Sequence, residues 1–161
     1  MRHARVRAPQ VRLYYPVPMD REYSARFLET TSSAATVDVT APETVLHKAF
    51  DAVIHGNFDV FGQWVTDDVE LSIRGFGVMD GTWRGRDEVV AASQRNFEML
   101  EEEKPEIEGM ISQGNSIAVL LRDHGVLKST GQAYSVRGVQ WFTFVDGKIS
   151  KIEEFLGGSI S

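Results

Sequence analysis

The chain has no cysteine among its 161 residues. That excludes a disulfide framework, thiolate catalysis and any zinc site built on cysteine. It also lacks an apolar run approaching the roughly 20 residues that span a bilayer, so no membrane association is expected and a cytoplasmic location is the default expectation. Basic charge is scarce where a nucleic-acid binder would need it. Residues 1–40 carry net +2, but the remainder carries net −8. A body that acidic repels phosphate, so no nucleic-acid partner is expected. The glycines at Gly75, Gly77, Gly81 and Gly85 do not follow the GxxxxGK[ST] spacing of a phosphate loop. No HExxH motif or histidine–carboxylate cluster with metal-ligand spacing occurs, and His47 and His55 stand without such company. Neither a metal nor an organic cofactor is therefore expected. What remains is ordinary globular composition, 42% hydrophobic and 25% charged, enough for one domain with a core.

Arg2, Arg5, Arg7 and Arg12 precede any acidic residue, and Thr30 to Pro42 is small, polar and β-branched. This reads as a leader and linker over 1–41, a folded domain over 42–157 and a short tail over 158–161. Thr40 is the expected N-cap of a first helix, with Pro42 and Glu43 in its first turn. Val45, Leu46, Ala49, Phe50, Val53 and Ile54 recur at helical spacing, leaving His47 on the polar side, and Gly56 ends the helix. A short second helix carries Phe58, Phe61 and Trp64. Val65 to Asp68 reads as a turn, Val69 to Arg74 as a strand, and the glycine-rich stretch after it as a loop. A third helix is expected over Arg86 to Glu103, with Glu101-Glu102-Glu103 as its solvated end and Pro105 as its stop. Beyond Glu106 everything alternates as strand, with turns at Gly114-Asn115, Ser129 to Gln132 and Asp146-Gly147. Helices ahead of a four-strand meander argue an α+β fold, the helices covering one face of a curved sheet.

Several segments carry a family resemblance. They are Thr66-Asp67-Asp68-Val69, Gly85-Arg86-Asp87, Gly114 to Val119, Thr130-Gly131, Val136 to Phe144, Asp146 to Ile149 and Glu153-Glu154-Phe155. Over about residues 42–157 the chain resembles the nuclear transport factor 2-like superfamily, in its ketosteroid-isomerase-like and SnoaL-like branch. The resemblance implies a cone-shaped half-barrel of mostly antiparallel sheet (cystatin-like), about three N-terminal helices, an apolar pocket at its open end, and a homodimer packed through the sheets. The superfamily includes isomerases, cyclases, dehydratases, epoxide hydrolases and members without catalysis, so the fold does not fix the reaction.

Strand alternation groups Val119, Leu121 and Asp123 on one face, Gln140 and Phe142 on another, and Ile152, Glu154 and Leu156 on a third. The resemblance makes these the cavity faces and adds Ala49, Val53, Leu71, Ile73 and Ser93 to the wall. The expected catalytic set is Asp123, Glu154 and Gln140. Two carboxyls in an apolar cone would have raised proton affinities, one donating while the other accepts, with Gln140 steadying an oxyanion. Ala49, Val53, Leu71, Ile73, Ser93, Leu121, Phe142 and Ile152 would hold a small hydrophobic molecule. A one-residue slip would instead present Arg122 and His124, and Glu154 has Arg122, Arg137 and Lys151 as rival partners. The ketosteroid isomerases place an aspartate where this chain has Ile73, a tyrosine at Ala49 and an acid at Gln140, which disfavours that constellation. Glu154 matches one carboxylate of the epoxide hydrolases' Asp-Arg-Asp relay, but adjacent Arg122 and Asp123 point oppositely. The competing reading is a ligand-binding or dimerisation module without turnover, in which Val139, Trp141 and Thr143 form an apolar dimer patch.

Overall fold

The structure, a computed structural model, describes residues 17–19 and 38–161. The first helix, α1 (Pro42–Ile54), starts at Ala41 in extended geometry, with proline at the first helical turn. Thr40 does not cap it. Its N–H and hydroxyl both donate to Asp38 Oδ1, at 2.9 and 2.7 Å. Gly56 ends the helix at φ 69°. Val45, Leu46, Ala49, Phe50 and Ala52 are buried, and so is His47, against the expectation that it faces water. Burial pushes its imidazole down to about 3, so it is neutral. The short α2 (Phe58–Gln63) buries Phe58 and Phe61.

The segment read as a turn at Val65 to Asp68 belongs to a strand, β2 (Val65–Arg74). Its turn-forming residues are absorbed as an irregularity. A step of five residues from Val65 to Glu70 matches a step of two from Ile149 to Lys151 on the partner strand, leaving Asp67 and Asp68 exposed. The glycine-rich stretch is not all loop. Gly81–Arg84 forms a strand, β3, antiparallel to β2, and Arg84 Nε donates to Glu70 Oε2 at 2.7 Å across the pair. The third helix, α3 (Arg86–Glu98), stops short of Glu103. Leu100–Glu101 forms a two-residue strand, β4, that pairs with Leu127 and Val126. Sheet pairing wins there over a helix end whose three glutamates would oppose the dipole.

The meander consists of β5 (Glu106–Gln113), β6 (Ser116–Leu127), β7 (Ala133–Val145) and β8 (Lys148–Ile160). Asp146 and Gly147 both have positive φ, 49° and 72°, the geometry of a tight hairpin turn. The last strand outruns its expected end. Val136, Ser135 and Tyr134 pair with Gly158, Ser159 and Ile160, so the supposed tail is sheet. The supposed leader is also partly in the sheet: Val17–Pro18, here called β1, pairs with Ile107 and Glu106. The rest of that segment, 1–16 and 20–37, lies outside the described residues. Among the described residues the sheet order is β1-β5-β6-β7-β8-β2-β3, with β4 on β6, and only the β2–β8 pair is parallel. This is a mixed, mostly antiparallel sheet curled into a half-barrel, with the three helices packed on its concave side around one core. Among the described residues no helix is long and apolar enough to cross a membrane.

One turn locks two elements together. Gly75 leaves β2 at φ 94°, and a Cβ there would stand 1.9 Å from the Leu156 carbonyl oxygen on β8. The Asp80 carboxylate accepts the Gly75 and Phe76 N–H groups and fixes the turn. Gly75→Ala should destabilise the fold by about 1–3 kcal/mol. Gly77→Ala, also at positive φ but in open space, should cost clearly less. Chemical denaturation midpoints of the two variants check this. Equal losses would show that the close approach is not the constraint.

Candidate active site

Between the helices and the concave sheet face lies a cavity of about 240 Å³. Its wall is mainly apolar and includes Ala49, Val53, Leu71, Ile73, Leu121, Phe142 and Ile152, with Ser93 contributed by α3. Phe50 and Phe142 meet edge to face at 5.6 Å. Asp123, Gln140 and Glu154 line the same cavity. The alternative facing does not occur. Arg122 and His124 are exposed on the outer side, where Arg122 and Arg137 each donate to Glu108 at 2.6 Å. Lys151 lies 3.1 Å from Glu153. The cationic rivals for Glu154 are thus engaged elsewhere.

Strand register sorts the polar groups into two places. Val119, Gln140, Glu154 and Ile73 lie side by side in one row across β6, β7, β8 and β2. Gln140 donates its amide to Glu154, which lowers the carboxyl's proton affinity, but burial dominates and pushes it up to about 7. Glu154 is half-buried and lines the cavity.

Asp123 sits in another row, opposite Val136, which in turn opposes Gly158. It is therefore four residues of strand, about 13 Å of rise, away from the Gln140–Glu154 row. The two carboxyls expected to act as a pair are not neighbours. Asp123 instead accepts a 2.8 Å hydrogen bond at Oδ2 from the Tyr134 hydroxyl, while its other oxygen, Oδ1, is buried and among the described residues receives no hydrogen bond of good geometry. Burial pushes Asp123 up, opposed by the Tyr134 hydrogen bond and by the N–H groups of His124 and Lys104. The carboxyl that does feel Asp123 is Glu103. Burial first and the Asp123 charge second push it up to about 7, against a weaker pull from Lys128. Burial and the same acidic neighbours push the Tyr134 phenol far up, so it remains a neutral donor.

Glu103 and Tyr134 are cavity residues that the sequence reading missed, as are Phe76, Met79 and Asn96. Glu103 follows Glu102, whose φ of 55° turns the chain after β4. Tyr134 was findable. Asp123 faces Val136, so Tyr134 is its diagonal neighbour on the same face. Among the described residues, no three histidine, aspartate or glutamate side chains are grouped to hold a metal ion.

Chemically, the cavity can hold an apolar molecule against a carboxyl that exchanges its proton near neutrality, which is the requirement for acid/base catalysis. The same shifts bear on stability. Glu154 and Glu103 hold protons more tightly folded, at about 7, than at their ordinary 4.5. Their stabilising contribution is therefore complete below pH ~4.5 and is lost as pH rises through ~7. Urea unfolding should show a less stable protein at pH 8 than at pH 5, and Glu154→Gln should shrink that difference by on the order of 1–3 kcal/mol. An unchanged difference in the variant would mean that Glu154 titrates as it would in water.

Comparison with known proteins agrees with this architecture. Residues 46–152 match the SnoaL-like domain model. An NTF2-like protein from Burkholderia xenovorans shares 24% identity, with 71% of this chain and 88% of that one covered at a TM-score of 0.64. A protein from Jannaschia provisionally named a SnoaL-like polyketide cyclase shares 18%, with 77% and 91% covered at 0.64. An LEH-like epoxide hydrolase from Mycobacterium tuberculosis shares 14%, with 71% and 81% covered at 0.58. At these identities the likeness to solved structures is one of fold. No curated protein sequence is significantly similar to the chain. The matched domain spans most of the folded region, and the chain belongs to the SnoaL-like family, with the NTF2-like, ketosteroid-isomerase-like fold.

Proposed function

We propose that the protein is an acid/base enzyme acting on a small hydrophobic molecule in the cone, with Glu154 as the proton-carrying group. The observation that carries this reading is the placement of Glu154: a carboxyl in an apolar wall, held by Gln140, with its proton affinity raised to about 7. At neutral pH both of its forms are populated. The ionised form takes a proton from a bound carbon or hydroxyl acid. The resulting neutral acid returns that proton to a different atom, or to a departing oxygen. This cycle serves isomerisation, cyclisation, dehydration and hydrolytic ring opening alike, and it calls on no metal or organic cofactor. Gln140 holds the carboxylate in one orientation and offers its N–H to negative charge that develops beside it. Asp123 is too distant to share that proton, and serves as the second polar point that a substrate spanning the cavity would touch.

A second reading is a carrier or assembly module of the same fold. It is favoured by the apolar Ile73 and Ala49, where the resemblance to the ketosteroid isomerases would have called for polar groups. Either reading is compatible with a homodimer. On the outer face, Ile111, Ala118 and Trp141 form one row and Leu120, Val139 and Phe155 the next. Ile111, Val139, Trp141 and Phe155 are exposed, an apolar patch that a second copy would cover.

A generic proton-abstraction probe tests the catalytic reading without knowledge of the substrate. With 5-nitrobenzisoxazole, loss of the ring C–H proton to a base breaks the N–O bond and releases a coloured nitrile phenolate. The rate should rise with pH to a plateau above about pH 7, as Glu154 ionises, and fall by roughly 10²-fold or more in Glu154→Gln. Equal rates in the variant and the parent would leave only the carrier reading. Separately, Trp141→Glu should convert a species of twice the chain mass into one of single mass by light scattering. A parent protein already of single mass would dispose of the dimer.

A further inference from the structure

Gln140 donates to Glu154 at one end of the cavity, and at the other end one carboxyl oxygen is left open. Asp123 is 8% exposed and lines the cavity, and among the described residues its Oδ1 receives no hydrogen bond of good geometry, although the N–H groups of His124 and Lys104 lie near enough to lower the proton affinity of the carboxyl. A buried acceptor of that kind costs free energy unless something donates to it. Asn96, also 8% exposed and on the same wall, has an unpartnered Oδ1 as well. Both oxygens are acceptors.

Charge narrows the donor to one class. Glu103 and Asp123 are near enough that the charge of one raises the proton affinity of the other. The side chain that contacts Asp123 is the neutral Tyr134. Among the described residues the lysine that acts on the pair is Lys128, on Glu103, and it is exposed. A hydroxyl donor would satisfy Oδ1 and leave the two acids in conflict. A cation would satisfy the oxygen and relieve the conflict together. Phe76, which packs against Tyr134 with ring centroids 5.5 Å apart, and Phe97 line the same cavity.

We infer that the end of the cavity formed by Glu103, Asp123 and Tyr134 binds the protonated amine of an amphipathic ligand whose apolar body lies along the cone toward Glu154. The inference rests on the proposed use of the cavity for a small hydrophobic molecule and names the polar end of that molecule. Asp123 acts there as an anionic anchor and Tyr134 positions it, while proton transfer stays with Glu154.

The test is calorimetric titration of the intact chain with 2-phenylethylamine, protonated at neutral pH, and with 2-phenylethanol, its uncharged analogue. The amine should bind roughly tenfold tighter or more. Asp123→Asn and Glu103→Gln should each remove most of that preference. Glu154→Gln should keep it while losing proton abstraction from the benzisoxazole, so the amine site and the catalytic reading fail separately. At pH 7, amine binding should also release on the order of half a proton from Glu103, read from the dependence of the heat on buffer ionisation. Should Asp123→Asn fail to fold, Glu103→Gln and the proton release decide the matter. An alcohol that binds as tightly as the amine, a preference that survives in Glu103→Gln, or no binding of the amine at all would overturn the inference.

Discussion

A carboxyl group walled by hydrocarbon keeps its proton longer than one in water, and the chemistry of this cone depends on that constraint. The wall is a consequence of strand alternation. Leu71, Ile73, Leu121, Phe142 and Ile152 come from four strands, and each shares its strand face with the others because cross-strand partners point the same way. The helices close the space from the other side through Ala49, Phe50 and Val53. Desolvation is the leading cause of every upward carboxyl shift in the cavity, at Glu154, Asp123 and Glu103 alike, with hydrogen bonds and neighbouring charges as corrections to it. The outer face has the opposite result. Glu108 lies between Arg122 and Arg137, and its proton affinity is lowered. One sheet therefore carries acids of opposite behaviour on its two faces, with Glu108 turned outward at the bulge between Ile107 and Gly109.

Alternation is a sequence property, so the facing was legible. Asp123, Gln140 and Glu154 line the cavity as the period of two and the family resemblance together imply. Height along the strand is a different property, and it was not read. Whether two inward residues are neighbours depends on register, which the turns set. The turn at 129–132 pairs Val126 with Ala133, which puts Asp123 opposite Val136, four positions from Gln140. Carried through, that count would have separated the two carboxyls and brought Tyr134 to Asp123. Glu103 was hidden for a deeper reason. Its local sequence is good helix, and only the pairing of Leu100 and Glu101 with a distant strand ends the helix early. Similarly, β3 is four residues among glycines, with no pattern long enough to read. His47 lay beyond the periodic signal because α1 is buried over a wider arc than its aliphatic residues alone describe.

The separation of the two polar ends has a consequence for the kind of molecule that fits. A substrate that met only Glu154 would use one end of the cone and leave the acids at the other end unsatisfied. Glu154 has its amide partner, and Tyr134 has its carboxylate, so each end is internally bonded as far as its own residues allow. What is left over is acceptor capacity at Asp123 and Asn96, with negative charge beside it. Folding does not favour leaving such groups unmatched, because a valine or leucine at Asp123 would pack against Val136 and Leu121 without any desolvation cost. Sites where local rules are broken without compensation inside the chain are the places to look for compensation from outside it. On that reasoning the acidic end is the part of the cone that selects the ligand, and the Glu154 row, titrating near neutrality, is the part that acts on it.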